Sequence, residues 1–487
     1  MKKYIIYLIY FILGIILSIV FKNNLIAFII IRVIAFLCIF KLLINNYEYY
    51  IRLMYILIIL LNPFWGTLIY LTFGRNSNDH NVYKDKYNND KMFSKYEIKG
   101  KKPETYYETI VTKLTAAKLY KNNKLTLLEN GNNKYTILFE KIKKAKKFIH
   151  MEYYIISDGM LIDELILLFE EKIKDDVEIR IMYDYVGSDL ITNQTIQRLK
   201  KIGVQIEPFG KFLLPFFSNK FNYRNHRKIC VIDNEYAFIG GMNIDDEYLG
   251  YSKRLNSFWR DTQLMIEGPA VSELSLTFLK DWYFLTKENL FLNINIYLKE
   301  PPVQGESNIQ ILNTGADYKE INLKDIYLKL IGSAKKNIMI KTPYFIPDYD
   351  LLNALLIASK SGIKVDIILP EKPDNIFVHS VTRTYYDQLL KANINIYEVK
   401  DTFIHSKILL IDEEFCMIGS PNVDFRSFNL NFETMGFFDE KKVINDLINQ
   451  TNLDVFYANK IEINNWNKRP IINRICANII QIISPIL

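Results

Sequence analysis

The chain has 487 residues, with 61 lysines and arginines against 54 aspartates and glutamates, which gives a formal net charge of +7. A composition of 49% hydrophobic and 24% charged residues excludes a disordered or collagen-like chain, and the length allows more than one domain. The small positive excess suits an anionic partner, such as a phosphate-bearing lipid or a nucleic acid, as well as it suits simple solubility. The four cysteines form no C-x-x-C pair and predict buried thiols rather than disulfides or zinc ligands.

Three apolar runs occupy the start of the chain, at residues 4–21, 25–44 and 53–73. A helix of about 20 residues crosses the hydrocarbon core of a membrane. Residues 1–75 therefore predict a transmembrane anchor of two or three helices. The middle run is the least typical span because it contains Arg32. The first run lacks a small-residue cleavage site, which favours an uncleaved anchor over a signal peptide.

The next segment, residues 76–106, is polar and rich in lysine, and predicts a basic linker. Positively charged segments beside membrane spans stay on the cytoplasmic side. We therefore expect the remaining residues to face the cytoplasm. If all three apolar runs crossed the membrane, the N-terminus would lie outside, in conflict with the charges of Lys2 and Lys3.

Beyond the linker, one motif occurs twice. The shared positions are His226, Lys228, Asp233, Gly240 and Asn243 in the first copy and His405, Lys407, Asp412, Gly419 and Asn422 in the second. From each histidine the lysine is two residues away, the aspartate seven, the glycine fourteen and the asparagine seventeen. A single H-x-K pair is common by chance, but two copies with identical spacing favour a catalytic repeat.

Both copies lie within alternating strand and helix patterns. Residues 229–232 and 408–411 are continuous apolar runs, typical of central strands that are buried on both faces. Residues 351–358 show the helical spacing of apolar side chains. The alternation predicts an α/β sandwich in each half, at residues 107–300 and 301–462, followed by an amphipathic tail at 463–487.

The repeated residues suit phosphodiester exchange. Such a reaction needs a nucleophile, an acid for the leaving alcohol, and cations or hydrogen-bond donors on the phosphoryl oxygens. His226 and His405 suit the first two functions, and each shares a strand face with the lysine two residues later. The candidates for binding the phosphate are Lys228, Lys407, Asn243 and Asn422.

Each catalytic imidazole also needs a hydrogen-bond acceptor on its second ring nitrogen. The candidates are Asp261 and Glu433, which follow the histidine of their own half by 35 and 28 residues. We expect them to orient the histidines.

The two copies resemble the paired HKD motifs of the phospholipase D superfamily, and their context is similar to its cardiolipin synthase branch. The similar segments are residues 62–75, 223–228, 259–261, 342–347 and 424–433. The resemblance implies two phospholipase D-like halves related by pseudo-two-fold symmetry, preceded by transmembrane helices, in a bacterial plasma membrane protein. It also places Asp233 and Asp412 in the catalytic set, although Asp233 lies at an odd offset from the histidine and faces away from it.

The same resemblance implies a two-step exchange that needs no metal ion and no cofactor. One histidine forms a phosphohistidine while the other protonates the departing alcohol, and His226 is the nucleophile by analogy. In this branch phosphatidylglycerol is both donor and acceptor, and glycerol leaves. The resemblance implies no nucleic acid partner.

Other functions use the same residues. Another phosphatidyltransferase, such as a phosphatidylserine synthase, or a hydrolytic phospholipase D differs only in the accepting alcohol or water. A nuclease fits less well, because the chain has apolar N-terminal runs and lacks aromatic-and-basic tracts. Two complete motifs argue against an inactive scaffold. The oligomeric state stays open, with a homo-oligomer allowed.

Two apolar segments have two interpretations each. The loop at residues 209–221 is either a lip that dips into the membrane or part of the core. The end of the tail, residues 470–487, is either an interfacial helix or packs on the catalytic core.

Overall fold

The computed structural model describes residues 25–45, 47, 49–74, 83–211, 222–252, 254–298, 304–317 and 323–470, together with residues 472, 475, 480 and 481. The chain divides into two compact units. The first contains Met1–Val82 and Phe212–Asn222, and the second contains Tyr83–Lys211 and Tyr223–Pro485. The apolar run at 4–21, most of the loop at 209–221 and most of the segment 470–487 lie outside the described residues.

The described part of the first unit is helical. Its helices are α1 (Leu25–Ile44), α2 (Tyr49–Leu61) and α3 (Pro63–Phe73). Within the described residues, α1 alone is long and apolar enough to cross a membrane, judged by length and composition. The described residues therefore contain one candidate membrane span.

The apolar run at residues 53–73 forms two helices rather than one continuous helix. The run is divided at Asn62, whose side-chain oxygen accepts a hydrogen bond from the Trp65 amide at 3.1 Å and so caps α3. Pro63 is the first residue of α3, where its missing N–H costs nothing, but it cannot continue α2. The Asn-Pro pair thus ends one helix and starts another.

The second unit is a mixed α/β fold. Its helices are α4 (Lys84–Phe93), α5 (Tyr106–Thr115), α6 (Gly131–Lys143), α7 (Met160–Lys174), α8 (Asn193–Lys201), α9 (Val271–Thr286), α10 (Ile294–Tyr297), α11 (Leu323–Ile331), α12 (Tyr349–Lys360), α13 (Ile376–Thr382), α14 (Tyr386–Lys391), α15 (Phe425–Asn429), α16 (Lys441–Tyr457) and α17 (Ile463–Asn467). Short 3-10 turns lie at Ser94–Tyr96, Asp246–Leu249 and Leu290–Asn293.

The strands of this unit follow the repeat. They are β1 (Leu119–Leu128), β2 (Phe148–Tyr153), β3 (Glu178–Asp184), β4 (Gln205–Phe209), β5 (Lys228–Ile232), β6 (Tyr236–Gly240), β7 (Tyr251–Ser252), β8 (Ser257–Arg260), β9 (Gln263–Glu267), β10 (Ser307–Thr314), β11 (Asn337–Lys341), β12 (Lys364–Pro370), β13 (Asn395–Val399), β14 (Thr402–Ile404), β15 (Ile408–Ile411), β16 (Phe415–Gly419), β17 (Glu433–Phe438) and β18 (Ala458–Lys460).

One large sheet organises the second unit. Within the described residues it has 15 strands in the order β18-β13-β12-β11-β15-β16-β17-β10-β1-β9-β6-β5-β2-β3-β4. The central pair β1 and β10 is antiparallel. On one flank β5 is antiparallel to β2, and β2, β3 and β4 are parallel. On the other flank β15 is antiparallel to β11, and β11, β12 and β13 are parallel.

The motif strands lie in the core. On β5, Ile229 and Val231 join one hydrophobic cluster, while Cys230 and Ile232 join another, because successive side chains point to opposite faces of the sheet. Each fully buried aliphatic side chain contributes roughly 1.5–3 kcal/mol. The structure confirms the prediction that these strands are buried on both faces.

Part of the predicted linker at residues 76–106 is folded into the second unit. Residues 84–93 form α4, and Lys86 on this helix is buried. Its ammonium lies 2.6 Å from Asp90, 2.7 Å from Asp281 and 2.5 Å from Asp317. The composition of this segment predicts a solvated linker. Composition alone cannot reveal that one of its lysines has buried acidic partners.

Candidate active site

Two parallel strand pairings place each motif histidine beside the other half of the repeat. Asn225 pairs with Phe432, and the amide of His226 donates to the Phe432 carbonyl at 2.9 Å. In the same way β14 pairs with β8, and the amide of His405 donates to the Arg260 carbonyl at 2.7 Å. Each histidine therefore lies next to the residue that precedes an acid of the opposite half.

Each histidine is bonded to that acid. Nδ1 of His226 lies 3.0 and 2.9 Å from the two carboxylate oxygens of Glu433, and Nδ1 of His405 lies 2.6 Å from Oδ2 of Asp261. An ionised carboxylate only accepts, so each Nδ1 carries a proton, and each Nε2 keeps a free lone pair while its ring is neutral. The acids thus contact the histidine of the opposite half, not the one that precedes them in their own half.

The carboxylate of Glu433 is fixed by further donors. The Ser420 hydroxyl donates to Oε2 at 2.5 Å, and the Asn431 side-chain amide donates to Oε1 at 3.3 Å. Burial raises the pKa of Glu433, but His226, Lys228 and the Ser420 hydroxyl outweigh that effect and leave the pKa below its usual value. Glu433 is therefore ionised at neutral pH.

The surroundings of His405 contain a closer cation. The Lys407 ammonium lies 2.8 Å from His405 Nδ1 and 3.8 Å from Oδ2 of Asp261, and the Tyr248 hydroxyl lies 3.3 Å from the same ring nitrogen. Because the Nδ1 proton points to the nearer carboxylate, the lysine and tyrosine contact the edge of the ring without replacing that bond. His405 and Lys407 therefore share Asp261.

Burial controls the charge of both imidazoles. It lowers the pKa of His226 to about 4, against the opposing effect of Glu433. It lowers the pKa of His405 to about 3, helped by Lys407 and opposed by Asp261. Lys407 also lowers the pKa of His226, and Lys228 lowers that of His405, so these groups form one electrostatic cluster. Both histidines are neutral at pH 7 in the site without substrate.

The two lysines are positioned alike. The ammonium of Lys228 donates to the carbonyl of His226 at 2.6 Å, and the ammonium of Lys407 donates to the carbonyl of His405. Burial lowers the pKa of Lys228 well below its usual value and that of Lys407 to about 8. An anion placed between them would raise both pKa values, because it favours the charged form of each lysine.

The two predicted asparagines differ. The side chain of Asn243 accepts from the Ile155 amide at 3.1 Å and donates to the Tyr248 hydroxyl at 3.0 Å. The side-chain oxygen of Asn422 is buried and has no hydrogen-bond partner among the described residues. Asn243 is thus bonded to protein groups, while Asn422 keeps a free acceptor.

The motif aspartates lie apart from the histidines. Asp233 accepts from the amides of residues 146–148 at 2.6 to 2.8 Å, where β2 begins. Asp412 accepts from the amides of residues 335–337 at 2.7 to 3.0 Å, where β11 begins. Both aspartates have positive φ, as turn residues do. In place of the catalytic contact implied by the resemblance, the structure shows each carboxylate holding the start of a neighbouring strand.

Buried charges support the first histidine from behind. Arg227, between His226 and Lys228, is bonded to Asp281, which also binds Lys86. Glu152 accepts from the Asn225 side chain at 2.5 Å and lies 3.8 Å from Arg227. Burial and the neighbouring Asp281 raise the pKa of Glu152 well above its usual value.

A smaller cluster supports the second histidine. Asp454 on α16 is bonded to both Arg260 and Lys341. Arg260 is the residue whose carbonyl accepts from the His405 amide. Each cluster lies behind one motif histidine, but the two clusters consist of different residues.

Sequence reasoning missed several of these residues. Ser420 follows Gly419 at the position where the first copy has Gly241. This difference between the two copies is visible in the sequence and could have identified Ser420. A side chain at Gly241 would collide with the Asp261 carboxylate. No sequence motif contains Lys86, Asp281 or Asp454. These residues lie near the site only in the folded chain.

The comparisons with known proteins agree with the site. The family model described as "Cardiolipin synthase, PLD-like domain" matches residues 138–282 and 327–454. The chain is 37% identical over 438 residues to a cardiolipin synthase of Geobacillus kaustophilus, covering 87% of this chain and 86% of that protein. The chain belongs to the cardiolipin synthase family. The matched segments contain every predicted site residue.

Further relatives extend the match. A cardiolipin synthase of Clostridium perfringens is 35% identical over 453 residues, covering 89% of this chain and 93% of that protein. A solved phosphatidylserine synthase of Haemophilus influenzae has a TM-score of 0.56 and 16% identity, covering 74% of this chain and 95% of that chain. At this identity the solved structure shows a shared fold alone.

Proposed function

We propose that this membrane-anchored enzyme makes cardiolipin by moving a phosphatidyl group from one phosphatidylglycerol to another, with release of glycerol. The main support for the proposal is the pair of histidine–acid contacts, His226 with Glu433 and His405 with Asp261. Two buried lysines lie beside these contacts. Membership of the cardiolipin synthase family supports the choice of donor and acceptor. The reaction uses no metal ion, no cofactor and no nucleic acid.

The site lies at the junction of two halves related by pseudo-two-fold symmetry. This part of the proposal is supported by the strand order, which runs outward from β1 and β10 through the same sequence of antiparallel and parallel pairings as far as β4 and β13, with β18 added on one flank. It is also supported by the crossed contacts, since each half supplies the acid for the other half's histidine.

In the first step, Nε2 of His226 attacks the phosphorus of phosphatidylglycerol. The bond between phosphorus and the glycerol oxygen breaks, and that oxygen takes a proton from His405. In the second step, a hydroxyl of the next phosphatidylglycerol gives its proton to His405 and attacks the phosphohistidine. The phosphorus–nitrogen bond breaks, and His226 returns to its neutral form.

The protonation states follow from the electrostatics. His226 is neutral and oriented by Glu433, as a nucleophile requires, and burial keeps its pKa at about 4. His405 has to gain a proton before it acts as an acid, although its pKa in the site without substrate is about 3. The negative phosphodiester raises that pKa when it binds, so substrate binding takes up a proton.

The other residues bind or support. Lys228 and Lys407 stabilise the charge on the phosphoryl oxygens, and the asparagines Asn243 and Asn422 line the same site. Asp261 and Glu433 orient the histidines. Asp233 and Asp412 act on the fold, by holding strand starts, and not on the substrate.

The first unit anchors the enzyme in the bacterial plasma membrane, with the second unit on the cytoplasmic side. This part of the proposal is supported by the apolar helix α1 and by the basic residues that follow α3.

The test is to incubate the reconstituted full-length protein with phosphatidylglycerol alone, in the presence of a chelator, and to follow the lipids by mass spectrometry. Cardiolipin and free glycerol are expected, and both are lost in His226→Ala and His405→Ala. Phosphatidic acid without cardiolipin would make the enzyme a hydrolase. Products that appear only with an added alcohol would assign a different phosphatidyltransferase.

A further inference from the structure

The two short helices of the first unit form a closed hairpin. The rings of Tyr55 on α2 and Tyr70 on α3 lie 5.5 Å apart between centroids, edge to face. Near the turn, Gly66 touches the backbone of Ile58 so closely that a side chain at residue 66 would collide with it. At the other end the Tyr47 hydroxyl donates to the carbonyl of Gly74 at 2.7 Å. The chain thus leaves the hairpin where it entered it.

Neither arm is long enough to cross a membrane. The 13 residues of α2 and the 11 of α3 extend about 20 and about 16 Å at the helical rise per residue, against a hydrocarbon core of about 30 Å. The 20 residues of α1 extend about 30 Å and match that thickness. Each arm is therefore shorter than the hydrocarbon core is thick.

The hairpin is apolar at its tip and polar at its base. Leu57, Leu60 and Leu61 on the last turns of α2 are 47%, 65% and 77% exposed. At the base, the Arg52 guanidinium donates to the carbonyls of Asn45 and Tyr47 at 3.1 and 3.2 Å. Exposed leucines beside a polar end suit insertion into acyl chains from one surface.

The turn is also adapted to an apolar medium. In hydrocarbon an unpaired backbone group costs several kcal/mol, on the order of the loss of a full hydrogen bond. Here Pro63 has no N–H, the Asn62 side chain accepts from the Trp65 amide, and the Asn62 carbonyl accepts from the Gly66 amide at 2.7 Å. The amides of Trp65 and Gly66 are therefore satisfied within the hairpin, and Pro63 has no amide to satisfy.

We infer that α2 and α3 form a re-entrant hairpin, whose partner is the acyl layer of the cytoplasmic leaflet, and that α1 is the crossing that precedes it. The C-terminal end of α1 and the basic residues after α3 then lie on the same side of the membrane. If residues 4–21 form a second crossing, Lys2 and Lys3 also lie in the cytoplasm, which removes the conflict with the positive-inside rule. This inference concerns topology and does not depend on the catalytic proposal.

Single cysteines labelled with a membrane-impermeant maleimide test it, in full-length protein from which Cys38, Cys230, Cys416 and Cys476 have been replaced by alanine. The probes are Asn45→Cys at the end of α1, Leu61→Cys near the tip, and Lys99→Cys as the cytoplasmic reference. The hairpin predicts that Asn45→Cys and Lys99→Cys react only in inverted vesicles. Leu61→Cys reacts from neither side until detergent is added.

Labelling of Asn45→Cys from the outer face of spheroplasts, with Lys99→Cys still cytoplasmic, would show that residues 53–73 cross the membrane and would overturn the inference. Aqueous labelling of Leu61→Cys would do the same. If the cysteine-free chain does not accumulate, a background with only Cys476→Ala serves, because Cys38, Cys230 and Cys416 are buried.

Discussion

The two halves of the candidate site perform matching tasks with different side chains. Glu433 reaches His226 with the longer acid and has the Ser420 hydroxyl behind it. Asp261 reaches His405 with the shorter acid, and Gly241 leaves room for its carboxylate. A repeat can therefore keep the same contact while the acid and its support change together.

The cations also differ between the halves. Lys407 lies 2.8 Å from the ring nitrogen of His405 and competes for Asp261, whereas Glu433 gives both oxygens to His226. His226 is thus held as a neutral, oriented ring, which suits a nucleophile. His405 lies in a site where added negative charge shifts its protonation, which suits the group that exchanges protons.

The sharpest test of this difference uses a donor whose leaving group, p-nitrophenol, departs without needing a proton. His226→Ala and His405→Ala each lose about 10,000-fold in cardiolipin formation from phosphatidylglycerol. With phosphatidyl-p-nitrophenol, His405→Ala still releases about one nitrophenol per chain in a burst, because only its acid is missing. Stopped-flow absorbance measures the burst, and a burst from His226→Ala instead would exchange the two roles.

The acids come next in size. Glu433→Gln and Asp261→Asn keep the shape of the side chains but remove the charge that fixes the imidazole tautomer, and each lowers kcat by about 100- to 1,000-fold. The KM for phosphatidylglycerol changes little, because neither acid binds the lipid. Steady-state kinetics on liposomes check both values. A large change in KM with kcat intact would contradict the orienting role.

The clusters behind the histidines predict a difference in stability. Asp454→Asn leaves the buried Lys341 and the partly exposed Arg260 without their shared acid and costs about 3 kcal/mol. Asp281→Asn costs about 1–2 kcal/mol, since Lys86 keeps Asp90 and Asp317. The buried Arg227 also loses an acid, but Glu152 lies 3.8 Å away and is freed from the charge of Asp281 that raises its pKa.

Thermal unfolding in detergent measures both changes, with the exposed-site variant Glu140→Gln as a control that shifts Tm little. An equal fall in Tm for the two aspartate variants would contradict the predicted difference in stability between the clusters.

The last test is a pH dependence of stability. Both histidines have folded pKa values below the unfolded value of about 6.5, at about 4 for His226 and about 3 for His405. Between pH 7 and pH 5 the unfolded chain gains these protons and the folded chain does not. Folding thus loses about 2 kcal/mol per histidine.

The double variant His226→Gln/His405→Gln should therefore show a smaller fall in Tm between pH 7 and pH 5 than the wild type. An equal fall in both proteins would mean that the histidines are not buried in their neutral form.

Much of this site can be predicted from local sequence. The H-x-K spacing, the apolar strand after it and the later Asp261 and Glu433 all lie within short segments, and strand periodicity assigns their faces. The crossed contacts cannot be predicted in this way, because the pairing of Asn225 with Phe432 joins segments that are far apart in the chain.

The same limit explains the two structural surprises. In the sequence, nothing distinguishes Lys86 from the other lysines of the basic segment. Only the folded structure places Asp281 and Asp317 next to it. Hydropathy identifies residues 53–73 as one apolar run because it counts only the apolar side chains. Asn62 and Pro63 divide the backbone of this run into two helices.

The crossing of the acids also sets when the protein becomes active during its synthesis. Glu433 is made 207 residues after His226, so under the proposed mechanism a chain still on the ribosome holds the nucleophile without the group that fixes its tautomer. A fragment that ends between the halves is inert for the same reason. Under the proposed mechanism, translation itself therefore delays the chemistry until the second half has folded.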